Sequence, residues 1–326
     1  MDSAAHTQAE PHAQALEIAV GVLVDRQGRL LIAQRRAGTP GAGRWEFPGG
    51  KQEPGESMFD CLARELDEEI GVRGLRAEPV IRFSHAHGDR PVRLHVWRID
   101  EWSGQAQGRE GQRLEWVERE ALADYQLLPA TGAILHALFL PDRYVITPSM
   151  AAAGEQAWWP ALEATLADGA PLLRLRDHAL DDAAYQALAA RVLACAHAHG
   201  ARLLIDRDSD MCEALGADGV HWPVARLLAK GKRPLAAHRL LAVSAHSYSD
   251  LKAATRLGAD FAVLSPVAPT PTHPGASPLG WDGWNEARAE HALPVYALGG
   301  LGGEDIATAR AHNAQGVAAI RAFWRG

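Results

Sequence analysis

Three glutamates in the segment GKQEPGESMFDCLARELDEEIGV (50–72) have a spacing that could bind a metal ion. Glu65, Glu68 and Glu69 are spaced i, i+3 and i+4, so on a helix they share one face. Carboxylates crowded in this way repel one another unless a divalent cation lies among them. Mg²⁺ prefers oxygen ligands and binds phosphate oxygens at the same time. The spacing therefore predicts a metal-assisted phosphate site, with a solvated acidic helix face as the alternative.

The residues around these glutamates complete a longer pattern. It resembles the Nudix box, the signature of Mg-dependent hydrolases that cut nucleoside diphosphates linked to another group. The matching positions are Gly50, Glu56, Arg64, Glu65, Leu66, Glu68, Glu69, Gly71 and Val72. The resemblance implies Mg²⁺, with Mn²⁺ as the second choice, as the cofactor.

The segment LLIAQRRAGTPGAGRWEFPGGK (30–51) resembles the MutT branch of this family, whose members sanitise oxidised guanine nucleotides. The resemblance implies that Arg35 contacts the substrate and that the Gly49 carbonyl joins the metal sphere. It also implies a nucleotide pocket lined by Glu46, Phe47, Pro48 and Gly49.

Two further segments match the MutT-type pattern and contain candidate site residues. REGQRLEW (109–116) is similar to a loop that holds another catalytic carboxylate, which falls on Glu110. Asp89-Arg90 lies where MutT-type proteins have such a pair, so Arg90 is a candidate nucleotide contact. We expect Glu69 to be a direct metal ligand and Glu110 to be either a ligand or the base. Arg64 is expected to orient the carboxylates through charge-assisted hydrogen bonds.

Two positions depart from the MutT pattern. The motif LPAT (128–131) ends in Thr131 where the family has an Asn that reads the oxidised purine, and Pro40 replaces a His. A hydroxyl offers one donor, whereas an amide offers two donors and an acceptor, so we expect weaker purine discrimination. The predicted reaction is hydrolysis of a nucleoside triphosphate, with 8-oxo-dGTP as the first candidate and pyrophosphate as a product.

The whole chain has 326 residues, which suggests two domains, and 47% hydrophobic residues, enough for sizeable cores. A formal net charge of −7 argues against nucleic acid polymers and anionic membranes as partners. Three irregularly spaced cysteines give neither a zinc pattern nor a disulfide framework, which predicts a cytoplasmic protein. Residues 1–14 are polar and Ala-rich, and we expect a disordered leader there.

The first predicted domain spans residues 15–140. LEIAVGVLVD (16–25) and LLIAQR (30–35) read as a β-hairpin, and Gly and Pro mark residues 38–55 as a loop. A helix follows from about Ser57 to Glu69, ended by Gly71, and VRLHVWRID (92–100) alternates like a half-buried strand. With a last helix over residues 131–139, this order fits the α/β/α sandwich of the Nudix fold.

The second predicted domain spans residues 141–326. Eight short apolar segments mostly alternate with Ala-rich helical stretches: 144–148, 171–177, 202–207, 219–222, 240–246, 261–267, 294–300 and 316–323. This repeat predicts a (β/α)8 TIM barrel, with a doubly wound sheet as the structural alternative.

This half resembles the thiamine-phosphate synthase and thiazole tautomerase family, in segments such as YVITP, LLRLRD, VSAHS and VYALGGL. The resemblance implies a thiazole or thiamine phosphate ligand, and His246 matches the tautomerase histidine. The segment 299–303, Gly-Gly-Leu-Gly-Gly, could cradle a phosphate with its backbone N–H groups. The candidate barrel residues are Arg176, Asp206, Ser244, His246, Thr270, Thr272, Gly299 and Gly300.

The barrel segments also lack cationic and metal-binding residues of the synthases. Asp177 and His178 follow Arg176, and His273 replaces a Lys, so we expect no synthase activity. Three functions remain open for the chain. It is a nucleotide pyrophosphohydrolase, a bifunctional enzyme acting on thiamine-type diphosphates, or a hydrolase whose barrel is a non-catalytic binding module.

Overall fold

The computed structural model describes residues 15–325 except 88–89 and 271–276. The predicted leader, Thr272 and the side chain of Arg90 therefore lie outside the described residues. The chain forms two compact units. The first unit contains the residues up to Glu78 and Arg82–Gln126. The second unit contains the short segment Pro79–Ile81 and the residues from Leu127 onward. None of the helices in the described part is both long and apolar enough to span a bilayer.

The first unit is a mixed α/β fold with two sheets. Its elements are strands β1 (Leu16–Leu23), β2 (Leu30–Gln34), β3 (Trp45–Glu46) and β4 (Gly49–Lys51), helix α1 (Met58–Ile70), and strands β5 (Arg73–His87), β6 (Arg90–Ser103) and β7 (Leu114–Val117). One sheet has the order β4-β1-β6-β5 and the other has the order β3-β2-β7. A 3₁₀ turn over Arg119–Asp124 follows β7.

The predicted hairpin between the first two strands is wrong. β1 pairs antiparallel with β4 on one edge and parallel with β6 on the other, so neither edge is left for β2. β2 instead pairs with β3 and β7, and only an isolated bridge joins Val24 to Leu30. The predicted loop over 38–55 also needs correction, since it contains the short strands β3 and β4.

Helix α1 confirms the predicted box helix. It begins after Ser57, whose hydroxyl oxygen accepts a hydrogen bond from the Asp60 N–H at 3.1 Å. It ends at Gly71, whose φ of 76° is the left-handed conformation that glycine adopts at little cost. The buried side of the helix joins a core with residues of β1 and β6; the buried helix residues are Cys61, Leu62, Leu66 and Ile70.

The second unit opens with helix α2 (Pro129–Phe139) and continues into a closed barrel of eight parallel strands. The strands are β8 (Arg143–Ile146), β9 (Leu172–Leu175), β10 (Arg202–Ile205), β11 (Gly219–Pro223), β12 (Leu240–Ala245), β13 (Phe261–Leu264), β14 (Val295–Leu298) and β15 (Gly316–Ala319). The predicted TIM barrel is confirmed, and closure between β15 and β8 excludes the doubly wound sheet.

Helices lie between most of the barrel strands, as the repeat predicted. They are α3 (Met150–Ala153), α4 (Glu155–Ala167), α5 (Asp182–Ala198), α6 (Ser209–Leu215), α7 (Val224–Lys230), α8 (Tyr248–Arg256), α9 (Gly280–Arg288) and α10 (Ile306–Ala311). A large apolar cluster lies between these helices and the outer faces of the strands. A second cluster lies among the strands and contains Tyr144, Phe261 and Tyr296.

Helix α2 groups with the barrel in its contacts. The buried Gln315 side chain donates hydrogen bonds from Nε2 to the carbonyl oxygens of Ala137 at 2.9 Å and Leu140 at 2.8 Å. These are carbonyls at the end of α2 that lack partners within the helix. The end of α2 is therefore fixed by the side chain of the residue that precedes β15.

Candidate functional site

Two adjacent glycines let the carboxylates of α1 approach strand β4. A Cβ added at Gly50 would lie 2.2 Å from the carboxyl carbon of Glu65, so a larger residue there would displace the Glu65 carboxylate. Gly49 has a φ of 146°, and a Cβ there would lie 2.1 Å from the Ala19 carbonyl oxygen. The Gly49 N–H donates a hydrogen bond to Glu69 Oε2 at 3.1 Å. The Gly-Gly pair thus brings two box glutamates against the strand backbone.

Arg64 connects three acidic side chains of the box. Its Nε and Nη2 donate to the Glu56 carboxylate at 3.2 and 2.8 Å. Its Nη1 donates to Glu65 at 3.0 Å and to Glu68 at 3.1 Å. Hydrogen bonds from Arg64 and from the Glu53 N–H lower the pKa of Glu56 to about 2. This geometry fits the orienting function expected for Arg64.

The loop that carries Glu110 is attached to the last turn of α1. The Arg109 N–H and the Gln112 side-chain Nε2 both donate to the Glu69 carbonyl oxygen at 2.9 Å. Gln112 Oε1 in turn accepts from the Glu110 N–H at 2.9 Å. Carbonyls in a last helical turn need such external donors. No pattern in the sequence predicts the bridging function of Gln112.

A pocket in the first unit gathers most of the predicted substrate contacts. Arg35, Glu46, Phe47, Pro48 and Gly49 line it. It is also lined by Ala33, Gln34, Arg36, Thr39, Glu69, Glu110 and Gln112. Two carboxylates predicted to bind metal therefore face the same space as the predicted nucleotide contacts.

Two arginines place positive charge at this pocket. Arg35 lies 3.4 Å from the Glu46 carboxylate. Arg36 Nη2 lies 2.9 Å from Glu110 Oε2, and Arg36 Nη1 donates to the Glu110 carbonyl oxygen at 2.9 Å. Sequence reasoning missed Arg36. In a continuing strand, the side chains of Arg35 and Arg36 would point to opposite faces, so only one of them would be expected at the pocket. Because β2 ends at Gln34, this alternation does not apply, and both arginines line the pocket.

The pocket disfavours negative charge on Glu69. Burial raises the pKa of Glu69 to about 7, and the charges of Glu65, Glu110 and Glu46 add to this effect, while the Gly49 N–H opposes it. Burial likewise raises the pKa of Glu65 and of Glu46. Carboxylates that raise one another's pKa are stabilised in their charged form by a nearby cation.

The box glutamates are not gathered around one point. Throughout the described part of the chain, no group of three His, Cys, Asp or Glu side chains is arranged to hold a metal ion. Glu65 and Glu68 turn to Arg64, and the Glu68 side chain is 57% exposed. Glu69 and Glu110 face the pocket. The carboxylates nevertheless lie close enough to raise one another's pKa, and their oxygens are the kind of ligand that a hard divalent cation requires.

Thr131 occupies the first turn of α2 in the second unit and is only 2% exposed. Its N–H donates to the Leu128 carbonyl oxygen at 3.0 Å. The base-reading function of Thr131 stays a prediction.

The ends of the barrel strands carry a buried ion pair that the sequence did not reveal. Arg174 Nε and Nη2 donate to the Asp206 carboxylate at 2.7 and 3.0 Å, and both side chains are buried. The Arg176 N–H donates to Thr147 Oγ1 at 3.0 Å. The carboxylate of the candidate Asp206 is therefore paired with Arg174. Arg174 lies two residues after Leu172 in β9, on the strand face that points into the barrel, and this alternation is the signal that could have identified it.

The other barrel candidates fall into separate places. Gly299 and Gly300, with φ of 111° and 65°, line a pocket with Thr270 after strand β14. The His246 ring Nδ1 is hydrogen-bonded to the Ser265 carbonyl oxygen at 2.9 Å. The Ser244 hydroxyl contacts a buried histidine, His221, at 2.8 Å. The structure thus brings the glycines and Thr270 together, while His246 lies outside that pocket's described lining.

Two known families match successive parts of the chain, which divide at residue 142. The NUDIX domain matches residues 15–142, and the thiamine monophosphate synthase family matches residues 143–323. The chain is a Nudix hydrolase in its first part and a member of the thiamine monophosphate synthase family in its second. Nudix hydrolases in general use divalent metal ions, and both families act on small molecules.

Individual relatives agree with this division. A CTP pyrophosphohydrolase of Escherichia coli is 39% identical over 118 residues, which is 36% of this chain and 87% of the relative. An 8-oxo-dGTP diphosphatase of Haemophilus influenzae is 37% identical over 38% of this chain and 90% of its own. A putative thiamine-phosphate synthase 2 of Aquifex aeolicus is 35% identical over 56% of this chain and 98% of its own.

The first part of the chain is also similar in sequence to a protein of solved structure. The solution structure of the E. coli ORF135 protein is 36% identical and covers 38% of this chain and 89% of that protein. Its TM-score is 0.35.

Proposed function

We propose that the first unit is a Mg²⁺-dependent nucleoside triphosphate pyrophosphohydrolase that converts 8-oxo-dGTP to 8-oxo-dGMP and pyrophosphate, and so cleans the nucleotide pool. One observation carries the proposal: Arg35, Arg36, Glu69 and Glu110 line a single pocket together with Phe47. Cations for the phosphates, carboxylates for a metal and an apolar ring for a base are the parts that this reaction needs. The 8-oxo-dGTP diphosphatase relative supports the choice of substrate.

Glu65, Glu68, Glu69 and the Gly49 carbonyl are the groups that would hold Mg²⁺, and of the two functions expected for Glu110, ligand or base, we assign it that of the base. When bound, the ion would offset phosphate charge and lower the pKa of a water molecule.

The chain's own residues bind and orient the reactants. The guanidinium groups of Arg35 and Arg36 form charge-assisted hydrogen bonds to phosphate oxygens in place of those they make to Glu46 and Glu110. Arg64 holds Glu65 and Glu68 in fixed orientations. In the reaction, the water oxygen forms a bond to phosphorus and the bond from phosphorus to the leaving oxygen breaks. Glu110 accepts the water proton, because its side chain is partly exposed and Glu69 is hydrogen-bonded to Gly49.

A steady-state panel on the full chain with Mg²⁺ tests the proposal. Substrates are 8-oxo-dGTP, dGTP, CTP and thiamine diphosphate, with Glu69→Gln as the inactive control. We expect the highest kcat/KM for 8-oxo-dGTP and release of pyrophosphate. Faster hydrolysis of thiamine diphosphate than of every nucleotide would refute a nucleotide enzyme. Faster hydrolysis of CTP than of 8-oxo-dGTP would indicate that the first unit is a CTP pyrophosphohydrolase, like the E. coli relative.

A second proposal concerns the barrel, favoured by the pocket that Thr270, Gly299 and Gly300 line. We infer that this pocket binds a thiazole or thiamine phosphate, because glycine N–H groups at strand ends suit a phosphate. The buried Arg174–Asp206 pair leaves one fewer cation for a pyrophosphate, in agreement with the predicted lack of synthase activity. Titration with thiazole phosphate tests this, and absence of binding at millimolar concentrations would favour a non-catalytic module.

A further inference from the structure

Positive charge is concentrated in one short stretch of the second unit. Residues 226–256 contain seven lysines and arginines and a single acidic residue, Asp250, whereas the whole chain has a formal net charge of −7. Three of the chain's four lysines, Lys230, Lys232 and Lys252, lie in this stretch. The stretch covers most of helix α7, strand β12 and helix α8, and the two helices pack against each other.

Two arginines of this stretch hold the structure together. Arg233 Nη2 lies 2.9 Å from Asp260 Oδ2, and Arg233 Nη1 donates to the carbonyl oxygen of Gly258, just beyond the end of α8. Arg239 Nε donates to Glu213 Oε2 at 3.0 Å. Within the described residues, these are the ion pairs of the stretch. The Arg233 contacts fix the segment that follows α7 beside the C-terminal end of α8.

The other exposed cations of the two helices have no acidic partner in the described part of the chain. They are Lys230, Lys232, Lys252 and Arg256. Cations in a last helical turn offset the partial negative charge there, which accounts for Lys230 and Arg256. It does not account for Lys232, beyond the end of α7, or for Lys252, in the middle of α8. Like charges spaced i, i+4, such as Lys252 and Arg256, destabilise a helix slightly, and an anionic partner would offset that cost.

Apolar side chains lie beside these cations. Three large hydrophobic residues are exposed in the described chain, and two of them are Leu228 on α7, at 44%, and Tyr248 on α8, at 48%. Tyr248, Lys252 and Arg256 are spaced i, i+4 and i+8, so they share one face of α8. The Tyr248 ring packs on His291, with centroids 4.7 Å apart. We call the following residues the α7–α8 surface: Leu228, Lys230, Lys232, Tyr248, Lys252 and Arg256.

The chemistry of this surface indicates which kind of anion it suits. Lys230 and Arg256 lie at helix C-termini, which present carbonyl oxygens and no free N–H groups, so a phosphate would lack backbone donors there. The formal net charge of −7 opposes an extended polyanion such as nucleic acid or an anionic membrane. A short acidic segment feels mainly the cations within about 8 Å, the screening length at physiological ionic strength.

We propose that the α7–α8 surface docks an acidic segment of another protein, one that carries apolar side chains among its glutamates or aspartates. Its carboxylates pair with the lysines and Arg256, and its apolar side chains cover Leu228 and Tyr248. The surface is thus an interaction site on the outside of the barrel. It is independent of the activity of the first unit and of the ligand proposed for the barrel.

Lysine reactivity of the full wild-type chain tests where such a segment binds. The probe is a peptide of repeated Glu-Glu-Leu-Glu units, added in EDTA, and N-hydroxysuccinimidyl acetate labels the lysines for mass spectrometry. We expect the peptide to slow acetylation of Lys230, Lys232 and Lys252 several-fold. The fourth lysine, Lys51, is exposed in the first unit and should react at an unchanged rate. Equal protection of all four lysines, or protection of none, would overturn the proposal.

Fluorescence anisotropy with the labelled peptide measures the affinity. We expect the double variant Lys230→Glu/Lys252→Glu to weaken binding about tenfold or more, and Leu228→Ser to weaken it about threefold. Arg256→Glu should also weaken binding, whereas its matched control, Arg26→Glu at an exposed arginine of the first unit, should bind as wild type does. Added NaCl should weaken binding by wild type.

Four outcomes of the binding assays would refute an acidic protein partner. The first is no binding of the peptide by wild type at millimolar concentrations, and the second is undiminished binding by the double variant. The third is tighter binding of oligothymidylate or of phosphatidylserine vesicles than of the peptide, which would indicate a phosphate-bearing partner. The fourth is self-association in sedimentation experiments that the double variant abolishes, which would indicate an interface between copies of this chain.

Discussion

The carboxyl carbon of Glu65 lies 2.2 Å from the place where a Cβ on Gly50 would be. Gly50→Ala must therefore displace the Glu65 carboxylate. Because the displaced atoms are the end of a flexible side chain, we expect a loss of less than about 1 kcal/mol of stability but a fall of about 100-fold in kcat/KM, as for a misplaced catalytic group. Denaturant unfolding and steady-state kinetics measure the two effects. Gly132→Ala is the control, because a Cβ at Gly132 meets nothing within 4 Å; full activity of Gly50→Ala would contradict the assigned position of Glu65.

Glu69→Gln should abolish hydrolysis and leave the protein folded. The amide keeps the side-chain shape and can still accept from the Gly49 N–H, but it removes the charge that a metal ion requires. We expect a loss of about 10³-fold or more in kcat, the scale of a lost transition-state interaction. The matched control is Glu53→Gln, at an exposed glutamate just before the helix. Turnover of Glu69→Gln at the wild-type rate would exclude Glu69 from the site.

Arg64→Lys should lower kcat more than it changes KM. Lysine keeps the charge but cannot reproduce the bonds from one guanidinium to Glu56, Glu65 and Glu68. We expect a fall of about 10- to 100-fold in kcat, as is usual when a partner of a metal ligand is lost. The dependence of rate on Mg²⁺ concentration should also shift to higher concentrations. A larger effect on KM than on kcat would indicate direct substrate contact instead.

Thr131→Asn tests how the base is read. The amide supplies two donors and an acceptor where the hydroxyl supplies one donor, so the ratio of kcat/KM for 8-oxo-dGTP over dGTP should rise about tenfold. The ratio is obtained from parallel assays of the two nucleotides. Thr131→Ser serves as the control that keeps a hydroxyl. An unchanged ratio in Thr131→Asn would remove Thr131 from the base-reading residues.

Gln315→Leu should destabilise the second unit. It leaves the carbonyl oxygens of Ala137 and Leu140 without their donor in a buried place. Such a loss costs about 1–3 kcal/mol in the free energy of unfolding. Urea unfolding of the full chain measures it, with Gln186→Leu on the exposed face of α5 as the control. Equal stability of the two variants would show that α2 does not depend on Gln315.

Local patterns predicted the regular elements of this fold well. The Ser57 cap and the Gly71 stop mark the ends of α1 in the sequence itself, because capping depends on residues a few positions apart. The barrel strands were equally visible, since a buried parallel strand is a short apolar run between turn residues. The pairing of β2 was not visible, because it depends on β4 and β6 occupying both edges of β1.

The site was predicted in its residues more than in its contacts. The box motif identifies Glu65, Glu68 and Glu69, but their spacing alone gave no sign that Arg64 draws two of them towards itself. Arg36 and Arg174 were missed for a related reason. Their partners, Glu110 and Asp206, lie 74 and 32 residues further along the chain, so only the folded structure brings the charges together.

The attachment of the 107–112 segment has a consequence for natural variation. The N–H groups of Gln107 and Arg109 donate to the carbonyl oxygens of Ile70 and Glu69, respectively. Because both hydrogen bonds join backbone atoms, they do not depend on which side chains stand at positions 107 and 109. Substitutions at either position should therefore leave the separation between Glu110 and the helix nearly constant. Homologous enzymes could therefore change the charges of the 107–112 segment, and with them their nucleotide preference, while Glu110 keeps its position relative to the glutamates of α1.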